Sequence, residues 1–233
     1  MYRRGVLVSE NDSPLIKSIA VVGGTGKEGS ALAKRWALNG YRVIIGSRSA
    51  DKAEKSAAET NEELNGEYLT GMANEDAVQN AEIIVLSVPY SAHKSTLETI
   101  KPYITGKILV DVTVPIQPPN FTTVHVPEGK AASLESQAFL GEDVKVAAAF
   151  QNVSFVKLSD PQGDVNCDVL ICGDDLGVKQ EVMTLVEAAG MRGIDAGPLA
   201  NAVAVEALTP VILYINKQHK IKSAGIRITG LDD

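Results

Sequence analysis

From Ile19 onward, short β-branched apolar runs alternate with stretches whose apolar residues recur at helical spacing. The pattern predicts strands at 19–23, 42–46, 82–87 and 107–112, with helices at 27–39, 50–65 and 91–101 between them. Glu67-Tyr68-Leu69 reads as a short extended piece, and Met72 to Asn80 as a short helix capped by Asn74. Beyond Pro115 the rhythm changes. Pro118-Pro119 and Pro127-Glu128-Gly129 punctuate a loop; a helix at 131–140 and a strand at 144–150 follow. Strands at 168–172 and 192–196 then flank a helix at 175–190 that ends at Gly190, and a last helical run covers 199–218. Such alternation argues for an α/β fold, a doubly wound and mostly parallel sheet with helices on both faces. The expected organisation is an N-terminal extension at 1–17, a main domain at 18–152 and a smaller C-terminal α/β lobe at 153–233. Val6-Leu7-Val8 in the extension can add a short strand or contact a partner subunit.

The first strand breaks into Gly24-x-Gly26-x-x-Gly29 and then directly into a helical pattern. Strand, glycine loop and helix in that order form the Rossmann-type dinucleotide fingerprint. Gly24 permits the tight turn, Gly26 lets the backbone approach a pyrophosphate, and Gly29 lets helix pack on strand. Thr25, Lys27 and Glu28 complete this candidate cofactor loop. About twenty residues on, where an NAD site places an acidic residue against the ribose hydroxyls, the chain has Gly46-Ser47-Arg48. A hydroxyl and a guanidinium fork suit a phosphate instead, which makes NADP the expected dinucleotide. Lys52 can add a second positive charge; the alternative for Arg48 and Lys52 is a solvated surface cation.

Composition narrows the partners. At 233 residues and 45% hydrophobic, the chain can bury a proper core, and its net charge of −7 without a basic run disfavours nucleic acid and anionic membranes. No apolar run approaches a bilayer span, and the first ten residues lack a secretory signal, so the expected location is cytoplasmic. Cys167 and Cys172, five apart on one strand, point to opposite faces and read as inert buried thiols. His93, His125 and His219 have no ligand spacing, so no metal site is expected.

Ligands of open α/β sheets lie beyond the carboxyl ends of the strands. There the candidates are the glycine loop, Ser47-Arg48, Ser87-Val88-Pro89, Thr113-Val114-Pro115 and Phe150-Gln151-Asn152. The two strand-to-proline exits can wall a nicotinamide ring or be ordinary loop exits. No acid–base pair with the logic of an alcohol or hydroxyacid dehydrogenase stands out, so no catalytic side chain is assigned. His93, at a helix N-terminus after Pro89, reads as a solvated turn residue, the alternative being that it reaches the cleft, and Glu206 as an exposed helix charge or part of an interface or cleft. Pro210, within a helical pattern, is expected to kink its helix.

These residues resemble the NADPH-dependent reductases of coenzyme F-420 over nearly the whole chain from Ile19. The resemblance rests on the glycine loop, on Gly46-Ser47-Arg48 with Lys52-Ala53, and on Gly71-Met72-x-Asn74-Glu75-Asp76-Ala77. More specific are Ala149-Phe150-Gln151-Asn152-Val153, Cys172-Gly173-Asp174-Asp175, Asp195-Ala196-Gly197-Pro198-Leu199 and Glu206-x-Leu208-Thr209-Pro210. It implies a homodimer and hydride transfer between NADP(H) and an 8-hydroxy-5-deazaflavin by stacking of the two rings between the lobes. By the same resemblance, Thr25, Ser47 and Arg48 form the 2′-phosphate pocket, while Val88, Pro89 and Val114 flank the nicotinamide. Phe150, Gln151, Asn152, Leu208, Thr209 and Pro210 line the acceptor. Some relatives carry His-Thr-Ile in the first of these segments, so the acceptor contact here differs in kind. Alternatives are an NADPH-dependent reductase of another flavin or a ferric chelate, and a non-catalytic NADP sensor. Lys217, His219, Lys220, Lys222 and Arg227 read as helix-dipole complements and a solvated tail, or as a patch that steers an anionic acceptor.

Overall fold

A computed structural model describes residues 17–231; Val6-Leu7-Val8 lies outside them. Among the described residues the sheet has eight strands: β1 (Ser18–Val22), β2 (Arg42–Ser47), β3 (Leu69–Ala73), β4 (Ile83–Leu86), β5 (Ile108–Asp111), β6 (Lys145–Ala148), β7 (Asp168–Gly173) and β8 (Arg192–Asp195). Their order across the sheet is β3-β2-β1-β4-β5-β6-β7-β8. All neighbouring pairs are parallel except β6 with β7. Strand order reverses between β1 and β4, which puts the natural ligand crevice at their carboxyl ends.

Alternate residues of each strand feed the two faces. Ile19 and Val21 join one buried cluster with Trp36 and Leu32 of helix α1 (Lys27–Leu38) and with Val182 and Leu185 of α7 (Leu176–Ala188). Ala20 and Val22 join the other, with Val78, Leu97 and Val205 from α3 (Asn74–Gln79), α4 (Tyr90–Ile100) and α8 (Ala202–His219). The remaining helices are α2 (Ala50–Leu64), α5 (Ala132–Leu140) and the short α6 (Phe155–Leu158). Cys167 and Cys172 fall in opposite clusters, as free buried thiols, and burial pushes Cys172 up to about 11.

Residues after Asn152 supply β7 and β8 to the same sheet and stitch themselves to α1. Arg35, buried in α1, donates to the carbonyls of Leu158 at 3.2 Å, Ala189 at 2.8 Å and Gly163 at 2.9 Å. Trp36 Nε1 donates to Leu185 O at 2.8 Å.

Several local expectations are corrected. β3 runs to Ala73, so Asn74 opens α3 as its first residue and Ala73 is its N-cap; the buried Asn74 Oδ1 turns towards Gly46 instead. β6 ends at Ala148, two residues early, because Phe150 takes a left-handed conformation (φ 74°) that starts a turn closed by Val153 N to Phe150 O at 3.1 Å. Pro210 lies inside α8, which is continuous from Ala202 to His219, so the proline does not end the helix. The stretch Leu199–His219 is long and apolar enough to cross a bilayer by length and composition, against the expectation that none is. Its packing explains the composition: Ala202, Val205 and Ile212 enter the core, and the carboxylate of Glu206 is held within it.

Candidate functional site

The glycine loop is shaped by backbone contacts. Gly24 N donates to both Val21 O and Gly46 O at 3.0 Å, tying the loop to the ends of β1 and β2. Gly23 has φ 77°, and a Cβ there would lie 2.4 Å from Ser87 O. A Cβ at Gly24 would lie 2.7 Å from Val21 O, and one at Gly29 3.0 Å from Gly24 Cα. Only glycines let the loop, α1 and the exit of β4 close on one another. Gly26 is the N-cap of α1 and no side chain caps its first turn, leaving its amides and the helix dipole for an anion. Ser47 is buried at the end of β2, while Arg48, Lys52 and Thr25 are exposed, without hydrogen bond or ion pair among the described residues.

A cleft of about 430 Å³ opens beside this loop. One wall carries Gly26, Lys27 and Glu28 of the loop, Ser87, Val88 and Pro89 after β4, and Val112, Thr113 and Val114 after β5. The other carries Gln151 to Phe155, then Thr209, Ile212, Leu213 and Asn216 on one face of α8, and Lys222 and Ala224 beyond it. The spacing of the α8 residues, i, i+3, i+4 and i+7, is one helical stripe, and that is the signal by which the sequence could have disclosed Ile212, Leu213 and Asn216.

Thus Gly26, Lys27, Glu28, Ser87, Val88, Pro89, Val114, Gln151, Asn152 and Thr209 line one cleft. Gly24 and Gly29 shape the loop from beneath, and Pro115 is buried behind the β5 exit. Three expected acceptor contacts are not in the cleft. The ring of Phe150 is fully buried, edge-on to Trp36 with centroids 5.8 Å apart, because its left-handed backbone turns it into the core. Leu208 and Pro210 flank Thr209 on the helix and so face away from the stripe that lines the cleft. Of the C-terminal basic residues, only Lys222 lines it; Lys217 and His219 sit in the last turn of α8.

Two buried polar atoms on the cleft walls have no partner among the described residues: Thr113 Oγ1 and Gln151 Oε1. Gln151 is fixed by its other end, Nε2 donating to Asp111 O at 2.7 Å, and its backbone carbonyl accepts from Thr209 Oγ1 at 2.6 Å. An acceptor held rigidly in an apolar cleft suits a planar ligand with an N–H edge, such as a nicotinamide carboxamide or the pyrimidine ring of a deazaflavin.

Behind the β5 exit lies a polar cluster that sequence reasoning missed. His93 is buried, not solvated, because α4 begins at Tyr90 and turns it inward. Its Nε2 lies 2.8 Å from Asp111 Oδ2 and 3.0 Å from Ser136 Oγ, and Ser136 Oγ donates to Asp111 Oδ2 at 2.6 Å. Asp111 Oδ1 accepts from Thr113 N at 2.9 Å. Burial pulls His93 down, but the hydrogen bond and charge of Asp111, with Glu135 and Glu206 further off, hold it above its usual value. Burial pushes Asp111 up, yet His93, Ser136 and the Thr113 amide together hold it below its usual value. The cluster fixes the backbone of Thr113 and, through Asp111 O, the side chain of Gln151.

Glu206 is likewise neither exposed nor in the cleft. Its carboxylate caps α5 from across the core, accepting from Ala132 N at 2.7 Å and from Ser133 N and Oγ at 3.0 and 2.7 Å. Burial and the charge of Asp111 push it up to about 7 despite those donors. The other C-terminal motifs are also structural. Asp175 caps α7 through Val178 N at 3.0 Å, Asp174 accepts from Leu199 N at 2.9 Å, and Asp195 pairs with Lys179 at 2.7 Å.

Comparison with known proteins accords with this geometry. The family model described as NADP oxidoreductase, coenzyme F-420-dependent, matches residues 18–115. An F-420-dependent NADP reductase of Methanothermobacter marburgensis is 40% identical over 222 residues, spanning 92% of this chain and 99% of that one. A protein of the same name from Methanocaldococcus jannaschii is 36% identical, with the same coverage of each chain. Among solved structures, a pyrroline-5-carboxylate reductase from Coxiella burnetii superposes with a TM-score of 0.59 at 16% identity, covering 88% of this chain and 68% of its own, a likeness of fold alone. With full-length relatives at this identity, the chain belongs to the F-420-dependent NADP reductase family.

Proposed function

We propose that the protein transfers a hydride between NADP(H) and coenzyme F-420, and that the cleft beside the glycine loop is where the two rings meet. The observation that carries this reading is the cleft itself: walls of Val88, Val112, Val114, Ile212 and Leu213, two unpartnered polar atoms, and one end at the open amides of α1. Its volume lies within the range of roughly 300–1,000 Å³ typical of small-molecule sites. In a chain of this family that space suits two stacked rings. The work of the protein is to orient them and exclude water, which replaces a bimolecular encounter by a fixed one. Arg48, Ser47 and Thr25 would hold the 2′-phosphate, Lys52 adding charge, and the first-turn amides of α1 the pyrophosphate. Gln151 and Thr113 would fix ring orientation, and Asn152 and Thr209 brace that wall. The full-length relatives favour the deazaflavin over another flavin, a ferric chelate or a purely sensory role.

A cytoplasmic homodimer is part of the same proposal. Free buried cysteines and a pyridine nucleotide substrate fit a reducing compartment. Val211, Tyr214 and Ile215 of α8 stand 40–50% exposed, an apolar face that a second copy would cover. The test is to mix the protein with NADPH and oxidised coenzyme F-420 and follow bleaching of the deazaflavin, with riboflavin phosphate as parallel acceptor. Fast bleaching of the deazaflavin alone is expected; NADPH binding without bleaching overturns the assignment.

A further inference from the structure

Among the described residues, Glu28 is the one carboxyl on the cleft wall, and it has no hydrogen bond or ion pair there. It stands in the first turn of α1, between the glycine loop and the segment Gln151 to Phe155. The charged groups that share the cleft are Lys27 of the same helix, whose Nζ lies 5.2 Å over the ring of Phe155, and Lys222 of the C-terminal segment. The exits of β4, β5 and β6 and the stripe of α8 present only uncharged polar groups: Ser87, Thr113, Gln151, Asn152, Ser154, Thr209 and Asn216. Burial there pushes the carboxyl up to about 8, so it carries its proton at neutral pH.

Hydride transfer changes charge in this cleft. The C4–H bond of NADPH breaks with both electrons passing to C5 of the deazaflavin. The nicotinamide is oxidised to a cation, and the reduced deazaflavin gains one proton on nitrogen. We propose that Glu28 is the group that exchanges this proton: neutral beside the reduced nicotinamide, ionised beside the oxidised one, and reprotonated from solvent between turnovers. The pyrophosphate, Lys27 and the amino end of α1 act on this carboxyl equally whichever nucleotide is bound, so the difference between the two is the positive charge that only the oxidised ring adds, and that charge favours the carboxylate. The inference rests on the nucleotide assignment above and extends it to the source of the proton.

The test is calorimetric titration of NADP+ and, separately, NADPH at pH 7 in two buffers of different ionisation enthalpy, which reads proton release on binding without any deazaflavin. The wild type is expected to release about one proton on binding NADP+ and almost none on binding NADPH. Glu28→Gln, of nearly the same shape, should abolish the release and weaken NADP+ roughly tenfold while NADPH stays within about twofold. Glu28→Leu should lose the release likewise. In turnover, reduction of coenzyme F-420 by the wild type should decline above pH about 8, and Glu28→Gln should be slower and lack that limb. Proton release that persists in Glu28→Gln, or an alkaline limb that survives it, overturns the proposal. Failure of the deazaflavin to react would leave the titration result standing, so the two readings fail separately.

Discussion

The two walls of the cleft are built by different means. The wall from the glycine loop and the exits of β4 and β5 is mostly backbone: glycines that admit close approach, prolines that extend the chain, and open amides at a helix start. The wall from Gln151 to Phe155 and α8 is mostly side chain, its members held by contacts as distant in sequence as Thr209 to Gln151. A backbone wall can bind what all dinucleotides share, whereas a side-chain wall can choose the second ring. On the function proposed above, the difference separates general dinucleotide binding from the choice of acceptor.

The two walls meet at Asp111, and the largest effect is expected there. Asp111→Ala would leave His93 and Ser136 buried without their acceptor and free the Thr113 amide, a loss of about 3–5 kcal/mol by analogy with broken buried ion pairs. Thermal unfolding should show the drop, and the remaining folded enzyme should bind both ligands poorly. A stability within about 1 kcal/mol of wild type would mean that the cluster does not join the walls. The next effect should fall outside both walls, at the end of β2 beside the glycine loop. Arg48→Ala removes a charge-assisted contact to the 2′-phosphate of about 1.5–3 kcal/mol, so NADPH affinity should fall roughly 10- to 100-fold while NADH changes little. Equal losses for both would remove Arg48 from the phosphate site.

Confined to the second wall, Gln151→Leu should raise KM for coenzyme F-420 by about tenfold, through loss of one buried acceptor of about 1–2 kcal/mol, and leave NADPH binding within about twofold. A shift in NADPH affinity of the same size would place the Gln151 side chain against the nicotinamide instead.

The same contrast explains what the sequence discloses. Gly24, Gly26 and Gly29 are legible because their geometry is local: a turn, a close approach and a helix start all fall within six residues. The alternation of strands and helices likewise lies along the chain and discloses a parallel sheet with helices on both faces, while the order β3-β2-β1-β4-β5-β6 is read only from the structure. Phe150, Glu206 and His93 are misread because their roles depend on partners far away in sequence. A left-handed turn aims Phe150 at Trp36 of α1, Glu206 caps a helix 73 and 74 residues upstream, and His93 finds Asp111 only once α4 packs on β5. A polar residue in an apolar helix signals a buried partner, but not which one.

Glu28 stands where the two walls face each other, and its replacement should have the smallest effect on stability and the most informative sign. Its carboxyl titrates near 8 in the folded protein, against 4.5 for the free group. Below the unfolded value both states are protonated and the residue is neutral in the balance. Between the two values the unfolded chain loses the proton while the folded one keeps it, so stability falls as pH rises and levels off above the folded value. Glu28→Leu should therefore unfold at nearly the wild-type temperature at pH 4 and a few degrees higher at pH 8, a gain of about 1–2 kcal/mol after allowance for partial solvation of the cleft. A variant less stable than wild type at pH 8 would show that the carboxyl is satisfied where it sits. A stabilised variant would show a residue that costs the fold something at neutral pH, which is what is expected of a group placed for chemistry rather than for packing.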